Sequence, residues 1–320
     1  MNSFISNFKP EAKVVAAVLL ALLVCELALR KMETSLSLDL KHIRSIPEIA
    51  AQLSKAEGTR ILFLGNSLTR SSIVPEIFLA ETQRRGLGEI AAKCVNPDGT
   101  HINEWYFAFK THFAEPALLP DLLVIITGRA HLSDHPMDPS TRGAYYSSRQ
   151  DLAEYLFREK HSIDERIEFI LGRYSGAFAN RRRIQPRLFT LMIPHYQSCV
   201  QRINEKRRPR ATRKPSISAP TYWRLEQLLQ LAKENSVPVV VATVPMFEPY
   251  GIDSKIKHLL KEYGMQFIDA DKIEGIDSSR FPDAYHLDKI GAEKYSRVLA
   301  TKLVDFLATN PQFQKKTNEL

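Results

Sequence analysis

The sequence predicts an α/β protein: a three-layer αβα sandwich on a five-stranded parallel sheet, with an apolar helix ahead of it and a long helical insertion within it. Five short runs rich in Val, Ile and Leu predict the sheet, at Ile61 to Gly65, Ala91 to Val95, Leu122 to Thr127, Pro238 to Val244 and Gln266 to Asp269. Helical patterns separate these runs. Each run is apolar almost without interruption, as expected of strands covered on both faces. A chain of 320 residues with 44% hydrophobic content is long enough for one large core plus an anchor and an insertion.

The first element is the run Val14 to Leu29, sixteen residues broken late by Glu26 and bounded by Lys13 and by Arg30 and Lys31. At about 1.5 Å per residue it covers about 24 Å, short of a hydrocarbon core of about 30 Å. Snorkelling by Lys13 and Arg30, with Phe4, Ile5 and Phe8 at the near interface, closes that gap. No small-x-small cleavage site follows the run, and Val24 stands before Cys25 where a lipoprotein signal needs a small residue, so an uncleaved membrane anchor is expected, with a cleaved signal or a helix lying in the interface as the alternatives. The expected organisation is an anchor over residues 1–31, a linker or stalk over 32–58, an α/β domain over 59–308 and a tail over 309–320.

Strand 61–65 ends in Gly65-Asn66-Ser67-Leu68, a strand-to-helix turn that carries a serine. Serine at such a turn also commonly caps the following helix. A second chemical group lies far downstream in Phe281-Pro-Asp283-Ala-Tyr-His286-Leu-Asp-Lys-Ile-Gly291, just before a C-terminal helical pattern. A serine hydroxyl becomes a competent nucleophile when an imidazole takes its proton, and a carboxylate fixes that imidazole's tautomer. The bland alternative for His286 is a surface histidine beside Asp283 and Asp288.

The order and spacing of these segments resemble the SGNH, or GDSL-type, hydrolase superfamily. Gly65-Asn66-Ser67-Leu68 stands for its Gly-Asp-Ser-Leu block and Asp283-x-x-His286 for its closing block, over about residues 59–308. The resemblance implies a flavodoxin-like sheet and a Ser67, His286, Asp283 triad. It implies an oxyanion hole made of the Ser67 N–H, the Gly99 N–H and an asparagine amide from a Gly-x-Asn block. The third block departs from the pattern: Thr127-Gly128-Arg129-Ala130-His131 has alanine where asparagine belongs. Arg129 is the candidate replacement, as a charge-assisted donor, against the favoured alternative that it points to solvent or pairs with an acid.

The implied activity is attack on an acyl ester, by hydrolysis or by transfer to a sugar hydroxyl, on a cell-envelope or secreted polysaccharide. Anchored relatives assist polysaccharide O-acetylation and teichoic acid D-alanylation, so a membrane acyltransferase is an implied partner. A periplasmic or extracellular domain follows from the same analogy; the Lys and Arg count around the anchor does not favour that side. Two other readings stand beside it. One is a weakened or inactive partner in a membrane-associated complex, the other an inner-leaflet lipid or thioester hydrolase.

No cofactor or metal is expected. His131 and His135 flank Asp134 at i, i+4 spacing, but no third ligand is evident and Pro136 disfavours a continuing helix. The three cysteines, Cys25, Cys94 and Cys199, are too few and too scattered for a disulfide framework.

Between the third and fourth strands, residues 132–220 form an excursion too long for an ordinary loop, with helical patterns near Asp151 to Arg173 and Leu188 to Arg202. The formal charge of +8 concentrates here: Arg181 to Lys214 carries +10, leaving −2 for the rest. Such a patch attracts anionic lipid or an anionic polymer, or belongs to a solvated loop around Arg207 to Pro215. No nucleic-acid-reading motif accompanies it, so nucleic acid is not expected as a partner. Tyr222 to Asn235 then resumes as an amphipathic helix.

Overall fold

The structure, a computed structural model, describes residues 8–158, 161–206 and 219–309. In chain order it holds α1 (Phe8–Met32), α2 (Leu38–Ser54), β1 (Thr59–Leu64), α3 (Ser67–Ser72), α4 (Pro75–Arg84), β2 (Ile90–Val95), α5 (Ile102–Phe109) and β3 (Leu122–Thr127). The insertion contributes α6 (Pro139–Thr141), α7 (Arg149–Ala153), α8 (Ile163–Tyr174), α9 (Gly176–Ala179), α10 (Arg181–Met192) and α11 (Tyr196–Lys206). Then follow α12 (Trp223–Glu234), β4 (Val239–Thr243), α13 (Ser254–Glu262), β5 (Gln266–Ile268) and α14 (Lys289–Thr309). These elements form two compact units, one of residues 1–41 and 138–218, the other of residues 42–137 and 219–320.

The larger unit holds a parallel sheet in the order β2-β1-β3-β4-β5, with Phe63 opposite Cys94 on one side and Val124 on the other. The five predicted runs are its five strands. Ile61, Phe63, Val124, Ile126, Val240 and Ala242 belong to one core that also takes Tyr295, Leu299 and Leu303 of α14. The intervening residues Leu62, Leu64, Leu123, Ile125, Val239 and Val241 are equally buried, so helices cover both faces. Arg60 at the start of β1 donates through its backbone N–H, Nε and Nη2 to Asp121, which fixes the lower edge of β1 against β3. Residues 32–58, expected as a linker, contain α2, whose Leu40, Ile43, Ile46, Ala50 and Leu53 are buried at helical spacing.

The smaller unit packs aromatic rings and close backbones. Tyr155 stacks between Phe169 at 4.0 Å and His161 at 3.9 Å. A Cβ on Gly143 would strike the Phe169 carbonyl, and one on Gly172 would strike the Ser140 carbonyl, so both glycines are sites of close approach. The expected helix Asp151 to Arg173 is not continuous. Ser162 accepts the Glu165 N–H while Glu165 accepts the Ser162 N–H, and this reciprocal cap starts α8 afresh. The expected helix Leu188 to Arg202 is likewise divided, because Pro194 lacks a backbone donor and His195 adopts φ +60°. The expected positions of Phe4, Ile5, the Arg207 to Lys214 arginines and lysine, and the tail from residue 310 lie outside the described residues.

α1 lies in a segment, Pro10–Ser35, long and apolar enough to cross a membrane, with none of its most apolar stretch buried. Leu19, Leu20, Leu22 and Leu27 are each about three-fifths exposed.

Candidate active site

β1 ends at Leu64, and Gly65 and Asn66 turn the chain into α3. Gly65 keeps the sheet's register by donating its N–H to the Val95 carbonyl at 3.0 Å. Asn66, not Ser67, is the N-cap of α3: its Oδ1 accepts the Leu68 N–H at 3.0 Å, and its Nδ2 donates to the Thr100 carbonyl at 3.0 Å. The cap requirement is therefore met by the asparagine. Ser67 becomes the first residue of the helix, with its hydroxyl left for another partner.

That partner is His286. Its Nε2 lies 3.0 Å from Ser67 Oγ, and its Nδ1 lies 2.6 Å from Asp283 Oδ2. Residues 219 positions apart in sequence thus meet at the carboxyl ends of the strands. The chain approaches through a tight turn in which Ala284 takes φ +58° and donates its N–H to the Phe281 carbonyl. Asp283 Oδ1 accepts the N–H of Tyr285 at 3.0 Å and of His286 at 2.7 Å. The His286 backbone N–H first, and its ring second, push the Asp283 carboxyl down to about 2. An ionised carboxylate makes Nδ1 the protonated nitrogen, which leaves Nε2 as the acceptor facing the serine hydroxyl. Arg280 and Asp288 brace the turn through a 3.2 Å ion pair, and Asp288 caps the start of α14 through the Gly291 N–H.

The loops after β2 and β3 complete the surroundings. Gly99 has φ +63° and no atom within 4 Å of the Cβ it lacks, so its conformation rather than space demands glycine. Arg129 extends into solvent, with its guanidinium 3.4 Å from the exposed Glu248. The partner found for it is an acid on the loop after β4.

A second pair, not foreseen from the sequence, bridges the β3 loop and the His286 loop. Tyr285 packs its ring edge-on against His286, centroids 4.9 Å apart, and its hydroxyl lies 3.3 Å from Nε2 of His131. His131 is buried, and its Nδ1 accepts the Gly128 N–H at 3.1 Å. Burial first, then the neighbouring His101 and His135, pushes the His131 ring down to about 4, so at neutral pH it is uncharged. With Nδ1 accepting, Nε2 carries the proton and donates it to the Tyr285 oxygen, which frees the phenolic proton to point elsewhere. Burial also raises Tyr285, which keeps that proton in place. The only local signal was a tyrosine beside a histidine; the pairing with position 131 spans 154 residues.

The histidines near Asp134 have other occupations. His135 stacks on His101 at 4.7 Å, and the Asp134 carboxylate caps α12 by accepting the Trp223 and Arg224 N–H groups, each at 2.9 Å. A cleft of about 480 Å³ lies beside the β3 loop, lined by Gly128, Arg129, Ala130, Tyr222 and Asp253 among others. Asp283 and His286 themselves stand at an open surface, their side chains 54% and 33% exposed.

No protein-family model matches the chain, and no curated protein matches it. Among solved structures it is similar to a lipase/acylhydrolase from Enterococcus faecalis, at 13% identity, 78% of this chain, 97% of that chain and a TM-score of 0.37. It is also similar to Axe2, an acetylxylan esterase from Geobacillus stearothermophilus, at 13% identity, 78% and 96% coverage and a TM-score of 0.39. A third likeness is to LAE5, an alpha/beta hydrolase enzyme from the metagenome of Lake Arreo, Spain, at 10% identity, 79% and 99% coverage and a TM-score of 0.38. Likenesses this distant carry no functional argument.

Proposed function

We propose that the chain is a membrane-anchored serine enzyme acting on acyl esters, with Ser67 as nucleophile, His286 as general base and acid, and Asp283 as the carboxylate that orients the imidazole. The observation that carries this reading is the unbroken relay from Asp283 through His286 to the Ser67 hydroxyl, at 2.6 and 3.0 Å. As Ser67 Oγ attacks the ester carbonyl, its proton passes to Nε2 and the carbonyl oxygen becomes an oxyanion. Collapse expels the alcohol, which takes the proton back from the imidazolium, and an acyl-serine remains. Water or a sugar hydroxyl then repeats the sequence in reverse. The open surface around Asp283 and His286 suits an ester borne on a polysaccharide better than one that must be engulfed.

The oxyanion in this reading is held by the Ser67 and Gly99 N–H groups and by the Tyr285 hydroxyl, which His131 orients. Tyr285 supplies from the His286 loop what the absent asparagine would supply from the β3 loop. Tyr285→Phe is therefore expected to lower kcat by about two orders of magnitude with little change in KM. Arg129→Ala is expected to cost less than about threefold, since its guanidinium faces Glu248. A larger kcat loss in the arginine variant would give Arg129 the donor role.

Active-site-directed fluorophosphonate labelling tests the whole reading. The detergent-solubilised full chain is expected to be modified at Ser67, and Ser67→Ala to remain unmodified. A folded wild-type chain that takes up no label supports the competing reading, an inactive partner in a membrane complex.

A further inference from the structure

We infer that the insertion lies in the membrane with α1, its bare apolar helix faces embedded in the leaflet at the carboxyl end of that helix. The inference rests on the reading of α1 as the anchor, and its experiment tests the two separately.

Glu26 is the first observation. It interrupts the apolar run of α1 three residues, or about 4.5 Å, before that run ends at Leu29. A lone carboxylate at that depth is costly unless paired. The insertion pairs it: Glu26 accepts from Ser175 Oγ at 3.0 Å, from the Ala177 N–H at 3.1 Å and from the Gly176 N–H, at the first turn of α9. Arg30 completes the grip, with Nε 2.7 Å from Glu26 and Nη2 on the Tyr174 carbonyl. The start of α9 is therefore level with Glu26, inside the membrane-length segment and not beyond it.

Both helices leading from that grip carry uncovered apolar faces. α8 ends on it at Tyr174 and presents Ile163, Ile167, Ile170, Leu171 and Tyr174 along one stripe, from 37% to 74% exposed. Phe169 and Gly172, on its other face, are buried. α10 has no buried residue at all, and Leu188, Leu191 and Met192 share one exposed face. Arg187 of α10 donates to the Leu36 carbonyl, four residues past Met32, which sets α10 beside the carboxyl end of α1.

The occupant we assign to these faces is lipid rather than water or another protein, because the insertion that carries them is gripped by α1 at Glu26 and Arg30, inside or at the end of the apolar run proposed to cross the membrane. A soluble surface rarely leaves so large an apolar patch bare. The arginines do not supply the main attraction. Arg181 pairs with Glu168 at 3.4 Å, Arg182 with Asp138 at 3.1 Å and Arg183 with Asp39 at 3.9 Å, which offsets three of the eleven basic charges read from the sequence.

The test uses the full chain in phosphatidylcholine and phosphatidylglycerol vesicles, with Cys25→Ser, Cys94→Ala and Cys199→Ser as background. An environment-sensitive fluorophore is placed in turn at Leu20→Cys in α1, Ile167→Cys in α8, Leu191→Cys in α10 and Gln230→Cys in α12. Doxyl-labelled acyl chains are expected to quench positions 20, 167 and 191 by about twofold or more, and aqueous iodide to quench position 230 alone. If 167 and 191 respond to iodide like 230 while 20 responds to lipid, the anchor stands and the inference is overturned. Iodide quenching at 20 removes both. Far-UV circular dichroism matching the parent chain ensures that each labelled protein is folded.

Discussion

Replacing His286 with alanine is expected to lower kcat/KM toward a chromogenic acetyl ester by at least about three orders of magnitude. The size follows from the geometry. Ser67 Oγ has the imidazole Nε2 as its partner at 3.0 Å, so its removal leaves an alcohol with no group to accept its proton. The ring also holds the Asp283 carboxylate at 2.6 Å, but Asp283 keeps its backbone partners Tyr285 and His286, so the turn should survive the substitution. The defect should therefore fall on kcat, with an unchanged thermal unfolding midpoint. A loss below tenfold would end the assignment of His286 as the base.

Gly65→Ala is expected to damage both fold and activity. A Cβ at this position would strike Thr69 Oγ1 and come within 3.0 Å of the Ile126 carbonyl oxygen. Thr69 is fully buried and β-branched, so it has little freedom to withdraw. Overpacking of this kind costs about 1–3 kcal/mol, which urea unfolding would register as a lower midpoint at unchanged slope. Relief of the clash must displace the Asn66-Ser67 turn, and a shift of about 1 Å at a nucleophile costs about two orders of magnitude in rate. Full activity in the alanine variant would show that the turn tolerates a side chain, contrary to the packing between β1, α3 and β3.

The five strands were legible because burial on both faces removes the need for polar residues within them. Phe63 and Leu62 point to opposite sides of the sheet and are both fully buried, which appears in sequence as an unbroken apolar run. The Gly65 to Leu68 turn and the Asp283 to His286 turn were legible for a related reason: each is a local structure with its own chemistry. The capping role was assigned to the wrong neighbour by the bland alternative for Ser67. Asn66 takes it, and its amide nitrogen also donates to the Thr100 carbonyl, a long-range contact that no local pattern records.

Long-range pairings were the illegible part. Asp134 lies between His131 and His135 in sequence with no partner evident, yet its carboxylate caps a helix that begins 89 positions later. Glu26 looked like a flaw in an anchor, yet it holds α9. A carboxylate reads the same in sequence whether its partner is water, a metal or a helix end, because only distance separates the cases.

What the sequence determined alone is therefore the set of locally encoded features: a parallel sheet, an apolar N-terminal helix, and a serine and an Asp-x-x-His segment each on its own turn. Tertiary structure decided which of those groups meet. It set His286 against Ser67, gave His131 to Tyr285 and Glu26 to α9, and left the faces of α8 and α10 bare. The reason is physical: side-chain periodicity and turn chemistry act over a few residues and leave a trace in the chain, whereas a hydrogen bond across 150 or more positions exists only once the backbone has brought its two ends together.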